Sequence, residues 1–318
     1  MSRPTGLRIT CPNTLLHRGR DLLMTMYGIP PASFRRAMAP ETGRDHARHI
    51  ADVALAWWLE NRGGTSDLPI AVGTLAALAL AAPSTPAGPD YGPLLLPLDD
   101  QEATDVLRAV WNNLWSYNPV LAEAARPLHE WLAQAGDGDT RGLSDYIRIL
   151  VRAGLLEYAS DLTRCEGEDL IGLLVQRMRS YSDRQKAGQF FTSANAADHH
   201  TEILLTEQVP PGARLIEPCA GTGTMVRAAA STLRFQGKDP ADYRWWMNDI
   251  DEFHVACCAV NAVLFRLGPN VTVSRGDAFH DVGELEKDAQ ARAERAVSEQ
   301  RRRPVLYPTR TRPVHWPA

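Results

Sequence analysis

The sequence predicts an α/β protein in which a mainly helical part precedes a parallel β-sheet. Up to about residue 160, apolar residues recur at the three- and four-residue spacing of amphipathic helices, without an alternating strand pattern. After Ser182, short apolar segments alternate with helical ones in the order β-α-β-α-β, which implies parallel strands joined by right-handed crossovers. We therefore expect a helical domain over 1–160, a sheet domain over 161–282 and a basic helical or irregular tail over 283–318.

The helices of the first half are predicted in order from their apolar stripes and from the residues that break them. Prolines interrupt residues 1–40, so no long element is expected there. The predicted helices span 44–61, 68–83, 99–115, 119–135, 143–158 and 169–179, with a proline-rich connector over 83–97 and a loop over 136–139. Five tryptophans fall at helical spacing and are interpreted as core anchors, with base stacking as the alternative: Trp57, Trp58, Trp111, Trp115 and Trp131.

The elements of the second half follow from short apolar segments that are separated by helical ones. The predicted strands cover 214–216, 244–247 and 271–274, and the predicted helices between them cover 224–233 and 253–265. A charged helix is then expected over 283–303. Residues 304–307 are predicted as a short fourth strand.

The bulk composition narrows the classes of function. The 318 residues are 44% hydrophobic and 23% charged, with a net charge of −4, which argues against attraction of nucleic acid over the whole surface but leaves a local basic face open. The five cysteines are scattered and no histidines cluster at metal spacing, so we expect reduced, buried thiols in a cytoplasmic protein and no metal site. The longest apolar run, 68–83, is shorter than the ~20 residues of a membrane span, so no membrane role is expected.

A glycine loop lies in a setting that is typical of ligand binding. Gly221-Thr222-Gly223 follows a predicted strand directly and precedes a predicted helix. Glycine permits a tight turn and a close approach of the backbone to a ligand. Open α/β sheets bind their ligands beyond the carboxyl ends of the strands. The alternative is a plain tight turn without a ligand.

Asp249 lies at the end of the next predicted strand. A carboxylate at this point can accept hydrogen bonds from two ribose hydroxyls. The alternative role, capping the following helix, fits Asp251 better and leaves Asp249 free for the ribose. Asn261, on that helix, is interpreted as a supporting or surface residue.

Two further segments complete the candidate site. Asp277, after the third strand, can accept a hydrogen bond from an adenine amino group, and Phe279 can cover the face of the ring. Upstream of the sheet, Thr192 and nearby backbone groups can bind a carboxylate. Phe190 or Phe191 can form a wall of the pocket, and burial in a hydrophobic core is the alternative for these two rings.

The blocks at 188–193, 217–225 and 276–279 (Gly-Gln-Phe-Phe-Thr-Ser, Glu-Pro-Cys-Ala-Gly-Thr-Gly-Thr-Met and Gly-Asp-Ala-Phe) resemble motifs X, I and III of the methyltransferases that modify adenine N6. The modification subunits of type I restriction systems are the most similar group. Residues 169–172 (Asp-Leu-Ile-Gly) resemble a stretch that precedes motif X there. The resemblance covers about 165–280. It implies a Rossmann-like S-adenosylmethionine-dependent methyltransferase domain, here incomplete, that follows a mainly helical domain in the chain.

The resemblance implies that S-adenosyl-L-methionine is bound by ten residues: Phe190, Thr192, Glu217, Pro218, Gly221, Gly223, Asp249, Ile250, Asp277 and Phe279. Glu217 stands where the family more often has Asp, a change that keeps the carboxylate. DNA is the implied substrate and partner. A specificity subunit, or a second subunit that completes the methyltransferase, is the implied protein partner.

The chain departs from the family at the catalytic loop. In the family an Asn/Asp-Pro-Pro-aromatic loop after the fourth strand holds a flipped adenine. Here the corresponding slot holds Tyr307-Pro308-Thr309-Arg310, so no catalytic residue is assigned. Since a full methyltransferase sheet needs several more strands, we expect a truncated or split chain, a chain completed by a partner, or a degenerate member that keeps the cofactor site.

Three functions therefore remain open at the level of sequence. The first is an adenine-N6 DNA methyltransferase of a restriction-modification system, which transfers the methyl group directly. The second is a non-catalytic subunit that binds S-adenosylmethionine or DNA and requires a partner. The third is a methyltransferase that acts on another acceptor. The arginines of the tail are interpreted either as a phosphate-binding surface or as part of a solvated helix: Arg292, Arg295, Arg301, Arg302, Arg303, Arg310 and Arg312.

Overall fold

A computed structural model describes residues 42–62, 67–179, 190–205, 209–279 and 282–309. The predicted irregular segment 1–40 lies outside these ranges. So do Gly188 and Gln189 of the first sequence block, and Arg310 and Arg312 of the tail.

Short and medium helices build the N-terminal half, as predicted. They are α1 Gly43–Asn61, α2 Leu68–Ala81, α3 Gly92–Leu95, α4 Asp100–Tyr117, α5 Pro119–Ala124, α6 Asp137–Thr140, α7 Leu143–Arg152, α8 Leu155–Ser160, α9 Leu162–Cys165 and α10 Leu170–Met178. Helix α2 is buried along almost its whole length. The five tryptophans lie in or against the helical core, which confirms their interpretation as anchors.

Three predicted boundaries in this half are wrong, each for a local reason. The helix expected over 119–135 ends at Ala124 and continues as two 3₁₀ turns, because Pro127 cannot donate a backbone hydrogen bond within an α-helix. The helix expected over 143–158 breaks at Gly154, whose φ is +85°; a Cβ there would overlap the ring of His46. The loop expected over 136–139 contains the short helix α6.

A three-stranded parallel sheet forms the second half. The elements are α11 Ala194–Leu204, β1 Arg214–Glu217, α12 Thr224–Phe235, β2 Arg244–Asp249, α13 Glu252–Leu264, β3 Val271–Arg275 and α14 Val282–Arg302. The strand order is β1-β2-β3, with Ile216 opposite Trp246 and Met247 opposite Val273. The predicted α/β class and the parallel β-α-β-α-β run are therefore confirmed.

Helix α13 lies between the sheet and the helical half, and it is buried on nearly every side. Cys257 and Val260 belong to the core of the helical half, whereas Cys258 and Ala262 belong to the core beneath the sheet. A helix that is apolar all round is expected in such an interior position. Because α13 begins directly after β2, the helical half lies beside the carboxyl ends of the strands.

The segment after α14 is not a strand, so the predicted fourth strand at 304–307 is wrong. The side chain of Asn112 on α4 accepts hydrogen bonds from the backbone N–H groups of Leu306 and Tyr307, both at 2.9 Å, and donates to the carbonyl of Tyr307 at 2.8 Å. The indole N–H of Trp115 donates to the carbonyl of Arg303 at 2.8 Å. These contacts satisfy the backbone groups that a strand would have paired with a neighbour.

Helix α14 forms as predicted and packs against β3 and α5. Leu285, Ala289 and Ala296 of this helix are buried, while Arg301 and Arg302 are exposed at its end. Within the described ranges, every helix is either too short or too polar to cross a membrane. In the same residues, no group of three or more His, Cys, Asp or Glu side chains is placed to hold a metal ion.

Candidate functional site

The loops that follow the three strands line one cleft of about 350 Å³, together with residues 190–192 and the first turn of α13. Eight of the ten predicted cofactor residues line it: Phe190, Thr192, Pro218, Gly221, Asp249, Ile250, Asp277 and Phe279. Glu217 and Gly223 are not among the lining residues. The structure therefore brings together segments that are up to 89 positions apart in the chain, from Phe190 to Phe279.

The two glycines of the loop have different roles. Gly221 has φ +54°, and a Cβ on it would meet no atom within 4 Å, so it leaves open space at the cleft. Gly223 has φ +110° and precedes α12, and a Cβ on it would point at Cys258, Asn261 and Phe265. Gly223 thus provides the left-handed turn into α12, while Gly221 keeps the cleft open.

Four backbone amides of the loop donate hydrogen bonds within the protein. The N–H of Cys219 donates to the Glu217 carboxylate at 3.1 Å, and that of Ala220 to the carbonyl of Asn248 at 2.7 Å. The N–H of Gly221 donates to the Asp249 carboxylate at 2.7 Å, and that of Gly223 to the carbonyl of Ala220 at 2.9 Å. These four amides are not directed at the cleft as they would be in a phosphate-binding loop.

Asp249 is not the free side chain that the sequence suggested. One carboxylate oxygen accepts from the N–H of Gly221, and the other accepts from the N–H of Asp251 at 2.9 Å. Burial alone would raise the pKa of Asp249, but His254 and these two amides outweigh it and hold the pKa below its usual value. The carboxylate is therefore ionised and fixed. Oδ1 faces both the Asp251 amide and His254, and Oδ2 retains a lone pair for a further donor.

Asp251 caps helix α13, as predicted. Its side chain accepts from the N–H of Phe253 at 2.8 Å, and Arg179 donates to its other oxygen at 2.9 Å. Arg179 caps the end of α10. This ion pair therefore attaches the start of α13 to the helical half.

Glu217 does not line the cleft, but its side chain holds the loop through a hydrogen bond. It accepts the hydrogen bond from Cys219, and its pKa is raised by burial and by the nearby Asp249 carboxylate, although the Cys219 bond opposes this. Cys219 itself is exposed and lines the cleft, so the expectation that the cysteines are buried is wrong at this position. Cys165, Cys257 and Cys258 are buried as expected.

Exposed apolar side chains surround the opening of the cleft. Phe279 is fully exposed at 100%, Phe190 is 85% exposed and Ile250 is 67% exposed. Asp277 lies between them and accepts from the N–H of Phe279 at 3.0 Å. Exposed apolar groups that converge on one opening are a mark of a binding surface.

Two residues at the cleft, Asn248 and His254, were missed by the sequence analysis, and a third, Asn261, has the supporting position that was one of its two interpretations. Asn248 is buried and its amide donates to the carbonyls of Pro218 at 3.1 Å and Gly276 at 2.8 Å, which joins the ends of all three strands. His254 is buried at the cleft, with Nδ1 3.6 Å from the Asp249 carboxylate. Asn261, interpreted as a supporting or surface residue, is buried against the loop.

A pattern in the sequence could have identified one of these residues. Asn248 directly precedes Asp249 at the end of a buried strand, where a polar side chain needs partners. His254 and Asn261 each also contact the helical half, through Arg179 and Asp169, and no local pattern places that half beside the cleft.

Comparison with known proteins adds little to this geometry. No protein family matches the chain, and no curated protein matches it. A solved structure described as the cryo-EM structure of a DrdV–DNA complex aligns with 90% of this chain and 28% of that chain, at 14% sequence identity and a TM-score of 0.35. The chain thus spans little more than a quarter of the length of that protein. At such a TM-score the likeness carries no argument about fold or function.

Proposed function

We propose that the cleft binds S-adenosylmethionine and that the chain carries the Rossmann-like cofactor domain of an adenine-N6 DNA methyltransferase. The observation that carries this proposal is the fixed, ionised Asp249 carboxylate at the end of β2, beside the open position at Gly221. The acceptor, adenine in DNA, rests on the resemblance of the sequence blocks alone.

The polar groups of the cleft favour a ligand that donates hydrogen bonds. Asp249 and Asp277 supply acceptors, whereas the amides of Cys219, Ala220, Gly221 and Gly223 donate within the protein. S-Adenosylmethionine offers ribose hydroxyls, an adenine amino group and a positively charged sulfonium, and it has no phosphate.

The remaining walls fit the other parts of this cofactor. Phe279 and Ile250 offer apolar surface for the adenine ring. Phe190, in the segment that precedes the sheet, adds a further apolar wall. Thr192 lies in the same cleft and carries a hydroxyl that can donate to the carboxylate of the methionine moiety. The exposed Arg301 and Arg302 provide positive charge that suits a DNA phosphate.

The first test is calorimetric titration of the full chain with S-adenosylmethionine and, separately, with NAD⁺. We expect S-adenosylmethionine to bind and NAD⁺ not to bind. Asp249→Asn and Asp277→Asn each should weaken binding at least tenfold, about 1.4 kcal/mol. The control is Asp288→Asn, an exposed residue of α14 that should bind as the wild type does. Tighter binding of NAD⁺, or no binding by a folded wild-type chain, would overturn the proposal.

A second candidate is a non-catalytic cofactor-binding subunit that a partner completes. The observation in its favour is that β1 pairs with β2 alone among the described strands, while residues 303–307 attach to α4 and not to β1. An uncovered edge of this kind is a common site for a further strand.

Transfer of a labelled methyl group distinguishes the two candidates once cofactor binding is established. The chain is incubated with unmethylated DNA and labelled S-adenosylmethionine, and incorporation into DNA is measured. Incorporation supports the methyltransferase. Binding without incorporation supports the subunit.

A further inference from the structure

The side chain of Asp169 joins the helical half to the glycine loop. It is 1% exposed and caps the start of α10 by accepting from the N–H of Gly172 at 2.8 Å. From the other side, the hydroxyls of Thr222 and Thr224 donate to it at 2.5 and 3.3 Å. The carboxylate thus belongs to a helix of one half and holds two residues of the loop in the other.

The amide of Asn261 completes this arrangement. It donates to Asp169 at 2.8 Å and to the carbonyl of Thr222 at 2.7 Å. Oδ1 of Asp169 therefore accepts from Gly172 and Asn261, and Oδ2 accepts from the two threonines. Since a carboxylate has about four lone-pair sites, all of its capacity is used and none remains for a ligand.

The packing around these residues leaves little room for another arrangement. A Cβ on Gly172 would overlap both the Thr222 hydroxyl and the Asp169 carboxylate. Ile171 and Leu174, on the same helix, are fully buried in the core of the helical half. The position of the loop is consequently set by a rigid helix that lies outside the sheet.

We propose that Asp169 is a positioning residue of the cleft, through which the helical half holds the loop in its binding conformation. The inference rests on the proposed cofactor function and extends it: affinity for S-adenosylmethionine depends on a residue that does not touch the ligand. Thr222 and Thr224 line the cleft, and they are the residues through which Asp169 acts.

The central variant is Asp169→Asn. An amide in place of the carboxylate removes the charge. With its oxygen toward Gly172 and Asn261, its N–H₂ group faces the hydroxyls of Thr222 and Thr224, which lose their acceptor and have to turn to accept from it. Its matched control is Asp100→Asn in α4, which also removes a carboxylate that accepts two backbone amides, those of Gly142 and Ser144, but has no contact with the loop.

We expect Asp169→Asn to weaken binding of S-adenosylmethionine at least tenfold, measured on the folded fraction. Asp100→Asn should lower the melting temperature and change the affinity less than twofold. Thr222→Val should lose affinity as Asp169→Asn does, and Thr222→Ser, which keeps the hydroxyl, should recover most of that loss. The double variant of Asp169→Asn with Thr222→Val should bind little more weakly than the weaker single variant, because both remove the same contact.

Equal affinity losses in Asp169→Asn and Asp100→Asn would overturn the inference, since general destabilisation would then explain both. A wild-type chain that does not bind S-adenosylmethionine would remove the proposed function, and hydrogen exchange then tests Asp169 directly. The amides of residues 221–224 should exchange faster in Asp169→Asn than in Asp100→Asn. Equal rates would show that Asp169 does not hold the loop.

Discussion

The backbone N–H of Gly221 donates to the Asp249 carboxylate at 2.7 Å, and this bond ties the loop after β1 to the end of β2. In a phosphate-binding loop such an amide points at the ligand. Here it holds a carboxylate in place, and the carboxylate faces the cleft. At this position the loop therefore presents a hydrogen-bond acceptor to the cleft, where a phosphate-binding loop would present a donor.

Substitution of Gly221 should affect the ligand more than the fold. Alanine at φ +54° costs about 1–2 kcal/mol in a left-handed conformation, and its Cβ would enter the cleft. The control is Gly237→Ala, with φ +73° and equally open space around its Cβ, at the end of α12 away from the cleft. Both variants should lower the melting temperature similarly, but only Gly221→Ala should weaken S-adenosylmethionine binding, at least fivefold by calorimetry. Equal affinities would show that Gly221 does not face the ligand.

Gly172→Ala should destabilise the protein by about 1–3 kcal/mol, because the added methyl group overlaps the Thr222 hydroxyl and the Asp169 carboxylate. Gly138→Ala is the control, since a Cβ there meets nothing within 4 Å. Urea unfolding should show a loss in the first variant and none in the second. A Gly172→Ala protein as stable as the wild type would mean that α10 can move away from the loop at little cost.

The stability of the protein should fall between pH 7 and pH 5 through His129. Burial lowers the pKa of His129 to about 4, despite the opposing effect of its hydrogen bond with the carbonyl of Ala122. The unfolded chain takes up this proton near pH 6.5, so the stabilisation present above pH 6.5 is lost as the pH falls towards 4. At pH 5 the expected loss from this residue is about 2 kcal/mol.

Urea unfolding at pH 7 and pH 5 tests this prediction. His129→Gln should reduce the difference between the two pH values by about 2 kcal/mol. His199→Gln, which changes an exposed histidine, should leave the difference unchanged. If His129→Gln shows the wild-type difference, His129 is protonated in the folded protein.

Asn112→Ala should release the segment after α14. The substitution removes three hydrogen bonds to Leu306 and Tyr307, and we expect a loss of about 2–4 kcal/mol in stability. Trypsin should then cut faster after Arg302, next to Arg303, whose carbonyl accepts from Trp115 in the folded protein. Asn61→Ala, at the exposed end of α1, is the control and should not change the rate of cleavage. An unchanged rate in Asn112→Ala would contradict the attachment.

Much of the fold could be predicted from local patterns. The alternation of apolar strands and helices after residue 182 predicted the parallel sheet, and the Asp251 cap and the order of strands and helices agree with it. The errors occurred where distant partners decide the local structure. Residues 304–307 have the composition of a strand, yet their backbone groups bond to Asn112, nearly 200 positions earlier.

The candidate site was likewise predicted in its position and only partly in its contacts. Eight of the ten predicted residues line the cleft. Six of them lie at or just after the end of a strand, and parallel strands end at one edge of the sheet, whereas Phe190 and Thr192 precede the sheet. Gly223 and Glu217 were correctly placed near that edge, but their contacts point inward, to α13 and to the amide of Cys219.

The sequence by itself determined the class of fold, the edge of the sheet at which a ligand would bind and the segments that reach it. These follow from periodicity and from glycine and aspartate at the ends of strands, and such signals are local. Only the tertiary structure decided that Asp249 is held by two amides and that Asp169 reaches the loop from the helical half. Hydrogen bonds between residues far apart in the chain depend on how whole elements pack, and no short stretch of sequence encodes that packing.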